Sequence, residues 1–281
     1  YLTVATAGEP VGGAPERIGS RSGVPVGDEV VPATYEDRIH FERDEVYWPD
    51  ATPRDNNTLF WEKFYWTTLA DIGTNSYTVD GIDLPGADTT QAARFRMRIW
   101  GVSQILYSIQ TCAFSAFPDH LMDVSFNDLA FPRRGYRGFM GTTKAGQTWD
   151  TTGVFLRQRD NTLHLFVPYT NEPECPIRND NSALAWFDLF YQRRFEPVND
   201  SLEFRTPLAA GTYQYRVGPF RAAAPPRVFD VTDPLAPVEI RGGTYSGSAG
   251  AWTLLFRDVQ TGRRRIRILA DSLLSDDAAR M

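Results

Sequence analysis

The sequence predicts an all-β protein: a jelly-roll-like β-sandwich followed by a smaller strand-rich, Ig-like unit. Three observations carry that prediction. Aromatics make up 13% of the 281 residues, with 18 Phe, 12 Tyr and 7 Trp, and such side chains suit pleated, half-buried surfaces. The 22 Gly and 19 Pro supply turns between segments. Apolar residues alternate with a period of two, while convincing long helices are missing.

Taken in order, residues 8–34 are rich in Gly and Pro and poor in large apolar side chains, which predicts a linker or surface loop. Tyr1–Val4 before it reads as the last strand of something upstream. EDRIHFERDEVYW (36–48) restores alternation, with Ile39, Phe41 and Val46 facing inward. NTLFWEKFYWTTLA (57–70) leads to SYTVDGIDL (76–84), where Asp80-Gly81 predicts a hairpin. RFRMRIWG (94–101) places Phe95, Met97 and Ile99 on one face and Arg94, Arg96 and Arg98 on the other. HLMDVSFNDLAF (120–131) predicts a hairpin turning at Asn127-Asp128. QTWDTTGVFLRQ (147–158) and NTLHLFVPY (161–169) are separated by Asp160-Asn161, again turn chemistry. SALAWFDLFYQRRF (182–195) is long enough for a helix, but Phe187, Leu189 and Tyr191 alternate with Trp186, Asp188, Phe190 and Gln192 as in a strand. Beyond residue 200 the strands shorten: 202–206, 211–218, 227–234 and 237–242, then 251–269 as a hairpin turning at Thr261-Gly262. The expected division is 1–35 as upstream strand and linker, 36–198 as the larger sandwich and 199–270 as the smaller unit. Residues 271–281 would begin a connector to a downstream domain.

The charge balance, 29 Lys+Arg against 35 Asp+Glu for a net −6, argues against a nucleic-acid partner. No run of about 18 apolar residues occurs, so no transmembrane helix is predicted. The 2 Cys and 3 His leave little for a thiol or metal centre. Cys112 lies in an apolar stretch and Cys175 in a polar loop. Cys175 with His120 or His164 as base is the reactive reading; two unrelated thiols, or a disulfide, are the structural ones. His40, His120 and His164 share no zinc-ligand spacing. A structural calcium is open at the Asx-rich segments 53–58, 178–183 and 229–234, although such loops also make plain Asx turns. Among Trp48, Trp61, Trp66, Trp100, Trp149, Trp186 and Trp252, the pair Trp48 and Trp149 is expected to be the most exposed and available to a sugar face. Arg263, Arg264, Arg265 and Arg267 read as the solvent face of an edge strand. No catalytic, cofactor-binding or metal-ligating residue is assigned.

Four segments together resemble a known family. RIHFERDEVYWPD (38–50) with LFWEKFYW (59–66), DHLMDVSFNDLAF (119–131), ALAWFDLFYQRRF (183–195) and VFDVTDPLAPVEI (228–240) are similar to the β-rich region upstream of the catalytic domain in gingipain-like (C25) secreted cysteine peptidases. That group includes the sortase-like peptidases of type IX secretion. The resemblance implies a secreted or cell-surface location and a downstream catalytic domain in the same chain as partner. It also implies contact with secretion machinery or a cell-surface glycan. None of the four segments holds that family's catalytic His or Cys, so it implies no catalytic residue here.

Overall fold

The computed structural model describes residues 18–47, 64–70, 74–101, 120–136, 145–168 and 180–274. Among them the protein is all-β, with one 3-10 turn at Asp271–Leu273. The chain divides into a central unit, Arg38–Tyr191, and a split unit built from Tyr1–Asp37 and Gln192–Met281.

Strands are numbered in chain order. After β1 (Gly19–Ser22), which belongs to the split unit, the central unit follows. Its strands are β2 (Thr34–Glu42), β3 (Val46–Tyr47), β4 (Phe64–Tyr65), β5 (Thr67–Ala70), β6 (Ser76–Ile82), β7 (Ala92–Gly101), β8 (His120–Phe126), β9 (Leu129–Ala130), β10 (Arg134–Tyr136), β11 (Ala145–Phe155), β12 (Asn161–Phe166) and β13 (Asn181–Arg194). One sheet runs β11-β7-β13-β2 with β5 also on β13; the other runs β10-β8-β12-β6 with β9 on β8. The alternation in 94–101 is realised: Phe95, Met97 and Ile99 are buried, as are Phe187, Leu189 and Tyr191 of β13. They meet Val124 and Phe126 of β8 and Leu163 and Leu165 of β12 in one core. Phe187 sits at its middle, 4.6 Å from the Phe41 ring centroid, 5.4 Å from Trp66 and 5.7 Å from Phe95. Each such side chain contributes roughly 1.5–3 kcal/mol by leaving water.

The split unit contains β14 (Ser201–Arg205), β15 (Gly211–Phe220), β16 (Arg227–Asp230), β17 (Val238–Arg241), β18 (Thr244–Ser246), β19 (Trp252–Gln260) and β20 (Arg265–Leu269). One sheet runs β1-β17-β16-β20-β14 and the other β15-β19-β18. Leu202, Phe204, Ile266 and Ile268 of the first pack with Tyr215, Val217, Leu254 and Phe256 of the second.

Several turn readings change. Asn127-Asp128 does close a hairpin, pairing Phe126 with Leu129 and with Asn127 at φ 51°. Asp80-Gly81 does not: it lies inside β6, where the register with β12 shifts between Asn161 and Leu163 and Gly81 takes φ 69°. The left-handed glycine accommodates an extra residue, a bulge in place of a reversal. Thr261-Gly262 reverses the chain but makes no hairpin, because β19 pairs with β15 and β18 while β20 pairs with β14 and β16. β20 is therefore an interior strand, not an edge. Its arginines are tolerated because Glu203 on β14 receives Arg265 and Arg267. The Gly/Pro-rich segment 8–34 also holds more than a linker: β1 pairs in parallel with β17, and Val30 bridges to Tyr213. Tyr1–Val4 lies outside the described residues.

Candidate functional site

The face of the β11-β7-β13-β2 sheet turned away from the core collects the second half of each alternating pattern. β2 contributes Arg38, His40 and Glu42; β13 contributes Trp186, Asp188 and Phe190; β7 contributes Arg94, Arg96 and Arg98. Asp188 stands opposite Arg96 in the ladder and its side chain is fully buried. It accepts from Arg38 Nε at 3.1 Å and Nη2 at 3.0 Å, and faces His40 Nδ1 at 2.8 Å. The other ring nitrogen, His40 Nε2, faces Glu42 Oε2 at 2.8 Å.

An imidazole between two carboxylates can donate to both only as the imidazolium. Burial pulls the His40 pKa down, but hydrogen bonds to Glu42 and Asp188 outweigh it and raise the value above the ordinary 6.5. Around this cluster the guanidiniums lie on aromatic rings: Arg94 is 3.7 Å from the Phe190 centroid, Arg98 4.5 Å from Trp100 and Arg96 5.4 Å from Trp186. The result is a charged surface with an aromatic floor, suited to contact. Because both His40 nitrogens are engaged by carboxylates, the ring is not placed to take a proton from a substrate.

His120, considered above as a base, is buried and faces Asp180 Oδ1 through Nδ1 at 2.8 Å. Asp180 also accepts from Leu121 N at 2.7 Å and Ser182 Oγ at 3.1 Å. The ring packs so closely on Gly101 that a Cβ there would collide with it. Here the serine donates to the aspartate and not to the imidazole, so these three residues do not form a nucleophilic relay. His164 stands on β12 opposite Ser125 and Thr78, half-buried. Cys112 and Cys175 lie outside the described residues, as do residues 53–58.

The segment 229–234 holds a network that sequence reading missed. Asp230 Oδ2 accepts from Arg21 Nη1 at 2.7 Å and Arg264 Nη1 at 3.2 Å. Its Oδ1 accepts from Thr232 N at 3.0 Å and Thr232 Oγ1 at 2.6 Å. Arg21 Nη2 donates to the fully buried Asp258 at 2.8 Å. Burial pushes the Asp230 carboxyl up, but Thr232 and Arg21 outweigh it and hold it below the usual carboxylate range. Two guanidiniums thus neutralise the Asp230 carboxylate through charge-assisted hydrogen bonds. Among the described residues no group of three or more His, Cys, Asp and Glu side chains is arranged to hold a metal. Thr232 and Asp230 do form the Asx turn that such a segment favours.

Of the tryptophans, Trp66 and Trp100 are buried, while Trp186 and Trp252 are half-buried. Trp48 and the side chain of Trp149, the pair expected to be exposed, lie outside what is described.

Fold and site together define an all-β, sandwich-type class of protein with a polar aromatic sheet face. No helix of the described residues is long and apolar enough to cross a membrane, which says nothing of strands. No family model and no curated protein matches the sequence. Among solved structures it is similar to dimeric latent PorU from Porphyromonas gingivalis, with a TM-score of 0.61 and 14% sequence identity. The match covers 93% of this chain and 22% of that one, so the chain spans well under a third of the length of its structural neighbour. At that identity the likeness is one of fold.

Proposed function

We propose that this chain is the non-catalytic β-sandwich portion of an exported, gingipain-like cysteine peptidase. It would support or orient a catalytic domain downstream in the same chain, or contact the cell surface or secretion machinery. The observation that carries this reading is the match of 93% of the chain to only 22% of a much longer one. The four segments resembling the family's β-rich region point the same way. The local chemistry agrees: His40 and His120 both spend ring nitrogens on carboxylates.

The test is to read the open reading frame beyond Met281. About 300–400 further residues of alternating strands and helices, with a strand-end His and a later strand-end Cys, support the proposal. A stop codon, or more short-strand repeats, overturns it. The chain alone should hydrolyse no peptide substrate; cleavage lost on replacing Cys112 or Cys175 would sink the non-catalytic assignment.

A carbohydrate-binding or adhesin-like module is the second reading, favoured by Trp186 between His40 and Arg96. A glycan array separates the two, since binding abolished by Trp186→Ala would favour the module.

A further inference from the structure

Residues 18–26 of the split unit are held in the manner of a bound peptide. β1 lies along the edge of β17 in parallel register, with Gly19 opposite Val238 and Ser22 opposite Arg241. Gly23 N donates to Arg241 O at 2.6 Å, and Arg257 N donates to Gly23 O at 2.8 Å. The approach is close enough that a Cβ on Gly23 would collide with Ile240. Ile18 is buried among Phe229, Val231 and Leu274 at one end of the segment. In the middle, Arg21 forks between Asp230 and Asp258, while the next residues turn outward: Val24 and Val26 are exposed, and Gly27 is open at φ 97°.

These contacts divide as they do in strand addition, where main-chain bonds give affinity and one side-chain pocket gives selectivity. The pocket presents two carboxylates to one guanidinium. Asp258 is fully buried, its Oδ2 lacks a hydrogen bond, and the nearby Tyr215 hydroxyl is buried without one. Without Arg21, two carboxylates would share Arg264 alone, at 3.2 Å from Asp230 and 3.6 Å from Asp258. A planar fork reaches both acids at once, which a lysine ammonium does not.

The geometry points to a binding site for an extended, arginine-bearing peptide, formed by the β17 edge and the Asp230–Asp258 pocket. Residues 18–26 are its resident occupant, exchangeable with the same segment of a second copy of the chain. The exposed turn at Gly27 and Asp28 is the only covalent link on that side, so cutting it leaves the contacts of Ile18–Gly23 in place.

The experiment inserts a protease site between Gly27 and Asp28 of the full chain and cleaves it after folding. The released fragment is expected to co-elute with the remainder and to be displaced by excess labelled peptide of residues 18–26. The same peptide carrying Arg21→Ala should compete at least about tenfold less well, the loss of a charge-assisted bidentate contact. Departure of the fragment on cleavage, failure to exchange, or equal competition by the two peptides overturns the proposal. Should the insertion prevent folding, the unmodified, isotope-labelled chain is titrated with the peptide above the effective concentration of the tethered segment, of order millimolar. The bound-state amide signals of Gly19–Gly23 are then expected to fade as the unlabelled peptide takes their place beside Val238–Arg241, and signals unchanged at saturation overturn it equally.

Discussion

Each unit buries acids, but they are neutralised by different bases. In the central unit Asp188 is met by Arg38 and by His40, an imidazole whose pKa burial pulls down but hydrogen bonds to Glu42 and Asp188 raise above its ordinary value. In the split unit Asp230 and Asp258 are met by the guanidiniums of Arg21 and Arg264. The first cluster ties the edge strand β2 to β13 with a strength that depends on pH. The second ties β1 to its sheet throughout the neutral and alkaline range and weakens only as Asp230 is protonated in acid. Similar sandwiches with similar aromatic cores thus differ in the direction of pH change that loosens them, upward for the His40 cluster and downward for the Asp230 cluster.

The largest expected effect ignores that difference and tests the shared part. Phe187 and Phe256 are both fully buried, so truncating either to Ala should cost about 3–5 kcal/mol by urea unfolding. A loss well below that in one variant would show that its two sheets do not share a packed core.

Arg21→Ala comes next. It strands two buried carboxylates, at a cost of about 3 kcal/mol. The loss should be the same at about pH 6 and about pH 9, because the folded Asp230 pKa is lowered. Its contribution is therefore present above the ordinary carboxylate range and lost only as pH falls through the folded value. Adding Asp258→Asn should recover part of the loss; a purely additive double variant would show that the two side chains are not coupled.

The smallest effect belongs to His40→Gln, a few tenths to about 1 kcal/mol for a partly exposed ion pair. Here the sign reverses. The folded pKa is raised, so the stabilisation is fully present below about pH 6.5 and disappears as pH rises through the folded value. Arg38 and Arg96 oppose the imidazolium and Asp188 and Glu42 favour it, so the gap in urea midpoint between wild type and variant should be widest near pH 5.5. A gap that stays constant or grows toward alkaline pH would refute the double-donor geometry.

Where a strand has one wet face and one dry face, its pattern was legible: the inward sets of β7 and β13 follow directly from alternation. Asp188 escaped notice because an acid on the polar register reads as exposed, and only the neighbouring β2 shows that it is covered. The turns at Asp80-Gly81 and Thr261-Gly262 were misread for a related reason. A turn-forming dipeptide announces a local bend, but whether the flanking strands then pair is decided by strands far away in sequence. β1 left almost no trace, since GSRS carries no apolar alternation and its pairing is made by main chain. Its one signal was an isolated arginine, and that gains meaning only once Asp230 and Asp258 are in place.

That last dependence has a consequence during synthesis. Arg21 and Asp258 are 237 residues apart in the chain. At about 5–20 residues per second, the ribosome delivers the pocket roughly ten to fifty seconds after the strand that fills it. Throughout that interval the arginine strand has emerged while its acids have not. The split unit therefore closes late, its first strand waiting for its last ones.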